Sequence, residues 1–271
     1  MSSTALRNNT DLPVITEVTL MPGEEIRRTT SKQRDSYRDL TAFKGRQVPF
    51  TFTDMTTLDD VISALTTAQC GYLLVLQCYT DYSGVIVDSE GAPMTTADMM
   101  DALKLRSKRQ TFYDFLTACL SADIIAEAGG KYTVNSRYHF RGATDSRAVI
   151  RTYTTKIREA YREVNAADLG LIYRMLPFVH FETNALCANP FESDPDKIRW
   201  FNGKELAEAT GVHEDTLGRR LSRMKFGRKY VIGRFKFGGS REPAKFIFNP
   251  HVFYRRNKTP DSTLLALFNV R

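Results

Sequence analysis

The pattern of apolar and polar residues predicts the same order of elements at two places in the chain. Each segment reads as a short helix, a turn, a helix with one polar face, and then two apolar strands around a glycine-containing tip. The two segments cover residues 94–140 and 203–254. A helix-turn-helix followed by a β-hairpin is therefore expected twice.

In the first segment, the second helix is predicted to begin near Ser107. Its inward-facing residues recur at spacings of three and four, which is the period of a helix buried on one side. These residues are Phe112, Phe115, Leu116 and Cys119. The hairpin that follows is expected to turn at Gly129 and Gly130.

In the second segment, Gly211 is placed in the turn between the two helices, where a residue without a Cβ relieves a tight backbone. The following helix is predicted to bury Leu217, Leu221 and Met224. Its remaining face carries arginines, and the hairpin after it alternates aromatic with basic residues before turning at 238–239.

Helix-turn-helix followed by hairpin is the order of a winged helix, and the major groove of duplex DNA is wide enough to admit an α-helix. The polar face of each second helix and the basic hairpin are therefore candidate DNA contacts. In the first segment the candidates are Lys108, Arg109, Gln110, Thr111 and Tyr113. In the second they are His213, Glu214, Asp215, Thr216, Arg219, Arg220, Arg223, Arg228, Lys229, Arg234, Lys236, Arg241 and Lys245.

Each candidate surface has an alternative interpretation. The first helix-turn-helix, whose hairpin is short and nearly neutral, would serve only for packing or dimerisation. The second hairpin would be an ordinary surface hairpin whose lysines and arginines keep it soluble. The second segment is the stronger candidate, because its basic hairpin follows directly after an arginine-rich helix.

The remaining chain is predicted to be mostly helical. Core helices are expected from Thr57 through Tyr79, and a short strand at 85–87 is expected to pair with the first hairpin. Apolar residues at spacings of three and four predict one long amphipathic helix over 149–164. A second apolar helix is predicted to stop near Pro177.

The predicted fold class is mainly α with small β-hairpins (α+β), with two winged helix-turn-helix domains joined by a helical linker. Residues 1–45 are expected to form a flexible arm, 46–142 the first domain and 143–200 the linker, which is also a possible dimerisation region. Residues 201–256 are the second domain, and 257–271 a C-terminal tail.

Positive charge is concentrated toward the end of the chain. The 271 residues carry a net charge of +7. Residues 1–103 hold 8 Lys and Arg against 14 Asp and Glu, whereas residues 196–271 hold 17 against 7. Because phosphate neutralisation acts locally, a polyanion is expected to bind the C-terminal third first.

Cysteine and histidine usage predicts no metal and no cofactor. The four cysteines are scattered without a C-x-x-C pair, and the four histidines are equally dispersed. The cysteines lie mostly in apolar runs, as buried thiols do in a reducing compartment. The start of the chain has no basic stub followed by an apolar core, so a cytoplasmic, nucleoid-associated protein with no membrane partner is expected.

The chain resembles a family of tandem winged-helix proteins carried by plasmids and phages of Gram-positive bacteria, which includes replication initiators and related regulators. The resemblance runs from Phe50 to Arg256. It is carried by the segments GYLLVLQCYTDYSG, MTTADMMDALKL, TFYDFL, YHFRG, LPFVHFETNALCANPFE and FNPHVFYR. It implies binding to duplex DNA at an origin or operator with repeated half-sites, with a homodimer and host replication or transcription proteins as possible partners.

These observations bear on three classes of function: a DNA-binding protein, an enzyme and a protein-interaction module. A replication initiator is preferred to a transcriptional repressor, because two unlike winged units suit a composite or repeated site. An enzyme is not expected, since the P-loop, H-E-x-x-H and G-x-S-x-G motifs and the H-x-H pair of nicking enzymes are absent. A module whose winged helices bind other proteins is the third possibility.

Overall fold

The computed structural model describes residues 4–6, 16–18, 49–226, 229–236, 244–255, 260 and 262–268. These residues form a mixed α+β fold in which helices pack with small antiparallel sheets. Within them, no helix is both long and apolar enough to cross a membrane.

The segment predicted to be a flexible arm contains one described hairpin. Strand β1 (Thr4–Leu6) pairs antiparallel with β2 (Thr16–Val18). The other residues of this segment, up to 45, lie outside the described residues.

A four-stranded antiparallel sheet joins parts of the chain that lie far apart in sequence. Its strands are β3 (Phe50–Asp54), β6 (His139–Phe140), β7 (Val149–Tyr153) and β12 (Phe253–Tyr254), in the order β12-β7-β3-β6. Its hydrogen bonds therefore cross the boundaries that the sequence predicts at 142–143 and 200–201.

The prediction of one long helix over 149–164 is wrong in its first turn and a half. Residues Val149–Tyr153 form the strand β7, and helix α5 begins only at Thr154, running to Glu163. Four of the five β7 residues are buried, so the strand shows no alternation of apolar and polar positions. β-Branched and aromatic residues favour an extended backbone, and pairing with β3 and β12 on either side makes it stable.

Among the described residues four α-helices precede the first hairpin: α1 (Leu58–Ala64), α2 (Thr67–Leu76), α3 (Thr96–Ala102) and α4 (Arg109–Ser121). Two of them, α2 and α3, begin with capping boxes at Thr66 and Thr95. The hairpin is formed by β4 (Ile125–Ala128) and β5 (Lys131–Val134), and it turns at the two predicted glycines. The inward-facing residues predicted for α4 are all buried.

The second half of the chain continues with α6 (Ala166–Met175), α7 (Gly203–Thr210) and α8 (Glu214–Arg223). Four strands follow: β8 (Lys225–Phe226), β9 (Lys229–Tyr230), β10 (Ile232–Phe235) and β11 (Lys245–Phe248). The predicted turn at 238–239 lies outside the described residues. In the predicted tail, α9 (Ser262–Leu267) buries Leu264 and Leu265.

One sequence of elements occurs twice, in residues 66–134 and 165–248, which we call the first unit and the second unit. Each unit begins with a ten-residue helix, α2 or α6, that runs into a short 3-10 turn. A helix pair and a hairpin follow, α3–α4 with β4–β5 and α7–α8 with β10–β11. Between the first helix and the helix pair of each unit, a short extended segment forms a β-bridge with the second strand of the hairpin, at Val85↔Thr133 and Ala185↔Ile247.

The two units meet where α2 crosses α6. Each helix has a glycine at its fifth residue, Gly71 and Gly170. A Cβ added to Gly71 would lie 1.9 Å from the carbonyl oxygen of Ala166, and one added to Gly170 would lie 1.5 Å from that of Thr67. The two backbones are therefore in direct contact, and only residues without a side chain fit at the crossing.

A single buried apolar cluster includes residues of both units, such as Leu74 and Phe112 of the first and Ile172 and Leu217 of the second. A smaller cluster lies on the other face of β10–β11, beneath α9.

A buried polar chain attaches the four-stranded sheet to α6. His139 Nδ1 lies 3.1 Å from Thr53 Oγ1, and its Nε2 lies 2.8 Å from the Tyr173 hydroxyl. Burial lowers the pKa of His139 to about 3, so the imidazole remains neutral in the folded protein near neutral pH.

We expect Gly170→Ala to destabilise the protein strongly, because the new methyl group would overlap the Thr67 carbonyl. Overpacking of a tight core contact costs about 1–3 kcal/mol or more. The measurement is the free energy of unfolding by urea. The matched control is Gly218→Ala in α8, where an added Cβ meets nothing within 4 Å among the described atoms. Equal free energies of unfolding for the two variants would show that α2 and α6 can move apart enough to accommodate the methyl group.

Candidate nucleic-acid interface

Helix α8 is positioned by its turn and by one buried stripe. Gly211 ends α7 in the left-handed conformation, with φ of 70°, as predicted for the turn. Leu217 and Met224 are buried and Leu221 is half-buried, so α8 packs on the core along one side. The remaining sides of α8 face the surface.

The three arginines of α8 lie in different environments. Arg219 and Arg223 are exposed, and the Arg219 guanidinium donates to Thr216 Oγ1 at 3.3 Å. The side chain of Arg220 is only 25% exposed, and its Nε lies 3.6 Å from Asp168 Oδ1 on α6. Arg220 therefore contributes to the packing of α8 on α6. Arg223 Nη2 also lies 3.6 Å from Asp168 Oδ1, but its side chain is 61% exposed, so Arg219 and Arg223 both reach the surface.

The start of α8 is acidic and exposed. His213 is the N-cap residue, and its Nδ1 lies 3.6 Å from a carboxylate oxygen of Asp215. Glu214 and Asp215 occupy the first turn, where the helix dipole favours negative charge, and Thr216 is half-buried. Carboxylates at this end of the helix can accept a hydrogen bond from cytosine N4 but repel phosphate.

The hairpin residues divide between its two faces. Arg234 is paired directly with Phe246, and its guanidinium lies 5.7 Å from that ring. Lys245 is paired with Phe235 on the opposite face, where its ammonium lies 4.4 Å from the Trp200 ring. Lys236 is exposed and Lys229 half-buried. The candidates Arg228 and Arg241 lie outside the described residues.

A groove with a volume of about 520 Å³ separates α8 from the hairpin. Its walls include Leu217 and Gly218 of α8, Gly233 and Arg234 of β10, and Phe268 after α9. The face of β10 that carries Arg234 thus borders the same surface as α8, while Lys245 is directed to the far side.

Helix α4 presents all five predicted candidates at the surface: Lys108, Arg109, Gln110, Thr111 and Tyr113. Gln110 donates to Asp114 at 2.7 Å, one turn further along the helix. Tyr113 is 40% exposed.

The two helices start with opposite charges. Counted from the N-cap, α4 begins Lys108-Arg109-Gln110 and α8 begins His213-Glu214-Asp215. Cations thus cluster at the start of α4 and on the C-terminal half of α8. A polyanion would therefore meet the N-terminal end of α4 in the first unit and the C-terminal half of α8 in the second.

Two buried charged side chains were not predicted from the sequence. Asp168 is a buried carboxylate facing α8, with its side chain 4% exposed. Arg255 is 6% exposed and donates to the carbonyl oxygens of Val179, Pro190 and Arg147. Burial lowers the pKa of Arg255 to about 10. Because its guanidinium is buried against backbone carbonyls, this cation of the basic C-terminal third supports the fold rather than the surface.

The cysteines are buried, free thiols, as the apolar runs around them predict. Burial raises the pKa of Cys70 and Cys187 to about 11 and that of Cys78 to about 12. Thiolates are therefore not available at neutral pH at these positions. Within the described part of the chain, no group of three or more His, Cys, Asp or Glu is arranged to hold a metal ion.

Comparison with known proteins identifies no relative: no family model, curated protein or solved structure matches the chain significantly.

We expect Arg220→Ala to lower the free energy of unfolding by about 1–3 kcal/mol, because the buried carboxylate of Asp168 loses a partner. The neighbouring substitution Arg219→Ala removes an exposed side chain and should change stability by less than about 0.5 kcal/mol. Urea unfolding of both variants measures the difference. A null effect of Arg220→Ala would mean that the Asp168–Arg220 contact contributes nothing to the attachment of α8.

Proposed function

We propose that the protein binds duplex DNA sequence-specifically through two winged-helix units, and that it acts at the replication origin of a plasmid or phage. The observation that carries the proposal is the second unit, where α8 has two exposed arginines and borders, across a groove, a hairpin strand that also carries an exposed arginine. A helix of this kind fits the major groove, and a basic hairpin beside it reaches the flanking phosphates.

The order of elements supports the winged-helix interpretation. In both units a helix and a short extended segment precede the helix pair, and that segment bridges the hairpin's second strand. On this interpretation the second helix of each pair, α4 or α8, would be the recognition helix, as the second helix of a helix-turn-helix is in its complexes with DNA.

The distribution of charge supports DNA rather than a protein partner. Arg219 and Arg223 are one turn apart on α8, and both are exposed. Arginine suits both phosphate and the paired acceptors of guanine. In the first unit, Lys108 and Arg109 supply cations at the start of α4.

Two units within one chain favour origin binding over simple repression. The starts of α4 and α8 differ in charge, so the units would read different sequences and together recognise a composite site. A repressor would use the same contacts at an operator, and the position of the bound site relative to origin or promoter distinguishes the two.

We expect the wild-type protein to bind a mixed-sequence duplex with an association constant that falls log-linearly as salt rises, because bound phosphates release counterions. Arg219→Ala with Arg223→Ala should reduce discrimination between an enriched duplex and a scrambled one by ~1–3 kcal/mol per lost base contact. Lys108→Ala with Arg109→Ala should weaken binding less. Fluorescence anisotropy across a salt series measures both.

Arg219 and Arg223 are chosen for this test because Arg220 also holds α8 in place. The matched control is Lys204→Ala with Lys197→Ala, which removes two exposed cations outside α4, α8 and the hairpin. Binding that does not depend on salt, or equal losses in the control and α8 variants, would contradict the proposal.

A further inference from the structure

Asp168 is a residue of α6 whose side chain faces the arginines of α8. Its side chain is 4% exposed, and its buried Oδ1 has no hydrogen-bond partner among the described residues. The same oxygen lies 3.6 Å from Arg220 Nε and 3.6 Å from Arg223 Nη2. One buried carboxylate oxygen therefore faces two guanidinium groups on the candidate recognition helix.

Helix capping does not account for this orientation. Asp168 is the third residue after the N-cap Asn165, a position from which a side chain can bond back to the N-cap backbone. Gln69, Asp98 and Glu205 occupy that position in α2, α3 and α7, and each closes such a capping box. In α6, Asn165 accepts from the Asp168 backbone N–H at 2.8 Å, but the Asp168 carboxylate is directed toward α8.

The first unit fixes its corresponding helix by apolar contact instead. Counted from the N-cap, Phe115 of α4 occupies the position that Arg220 has in α8. Phe115 is fully buried, and its ring packs edge-on against Tyr72 of α2 with centroids 5.6 Å apart. At the corresponding position the second unit has an ionic contact, whose carboxylate also faces the exposed Arg223.

We infer that Asp168 is a positioning residue for DNA recognition by the second unit, an inference that rests on the proposed function. Its carboxylate holds Arg220 against α6 and orients the Arg223 guanidinium. Because the carboxylate also offsets positive charge on α8, it weakens the nonspecific attraction of α8 to phosphate relative to the base contact made by the oriented Arg223. Asp168 thus contributes to sequence discrimination while lowering affinity for DNA in general.

The test compares wild type with Asp168→Asn, which keeps the size of the side chain and removes its charge. The probes are the duplex most enriched by the wild-type protein from a random-sequence library, and a scrambled duplex of equal length and composition. We expect Asp168→Asn to weaken binding to the enriched duplex by roughly threefold to tenfold, within the range for residues coupled in one charge network. Binding to the scrambled duplex should be unchanged or tighter.

A second, exposed substitution keeps the inference testable if Asp168→Asn folds poorly. Arg223→Gln leaves the buried carboxylate and Arg220 in place, and it should lower the ratio of the two affinities by a similar factor. The double variant should lose no more discrimination than Asp168→Asn alone, because both act through Arg223.

Three outcomes overturn the inference. The first is a proportional fall in both affinities that follows a lower unfolding midpoint, which would mark Asp168 as purely structural. The second is an unchanged ratio in Asp168→Asn or in Arg223→Gln, and the third is fully additive losses in the double variant. If the wild-type protein itself prefers no duplex, the proposed function fails, and this inference fails with it.

Discussion

The backbone contact between α2 and α6 determines how the rest of the molecule is arranged. With no side chains between them at Gly71 and Gly170, the first helices of the two units approach until their peptide groups touch. The apolar residues around this crossing then merge into one core that includes both units. The four-stranded sheet, tied to α6 through His139 and Tyr173, adds a second connection. The two candidate recognition helices therefore belong to units that share one buried core.

The basic residues of the C-terminal third serve two purposes. Arg255 and Arg220 are drawn into the structure, where carbonyl oxygens and a carboxylate compensate them. Arg219, Arg223, Arg234 and Lys236 remain at the surface. A net charge counted along the sequence therefore overstates the charge available to a polyanion. The acidic first turn of α8, which the helix dipole favours, lies at the opposite end of the helix from its exposed arginines.

Local patterns predicted much of the fold. Spacings of three and four located α4 and α8, the pair Gly129 and Gly130 located the turn of the first hairpin, and alternation located the strands of the second. The exposed candidates on α4 and α8 followed from the polar faces. The prediction was wrong at Val149–Tyr153, because a strand covered on both faces has no polar alternation to distinguish it from a buried helix. Long-range pairings were not predictable from one sequence. Nothing near Asp168 indicates that Arg220 and Arg223 lie beside it, and nothing near Gly71 indicates contact with Gly170.

The central claim is that one chain presents two units to one duplex. Hydroxyl-radical footprinting of a complex shown by native mass spectrometry to contain one protein chain and one enriched duplex tests it most directly. The account predicts two protected tracts separated by accessible sugars, one for each unit. A single continuous tract no longer than one unit would cover, or protection that requires a second protein chain, would contradict it.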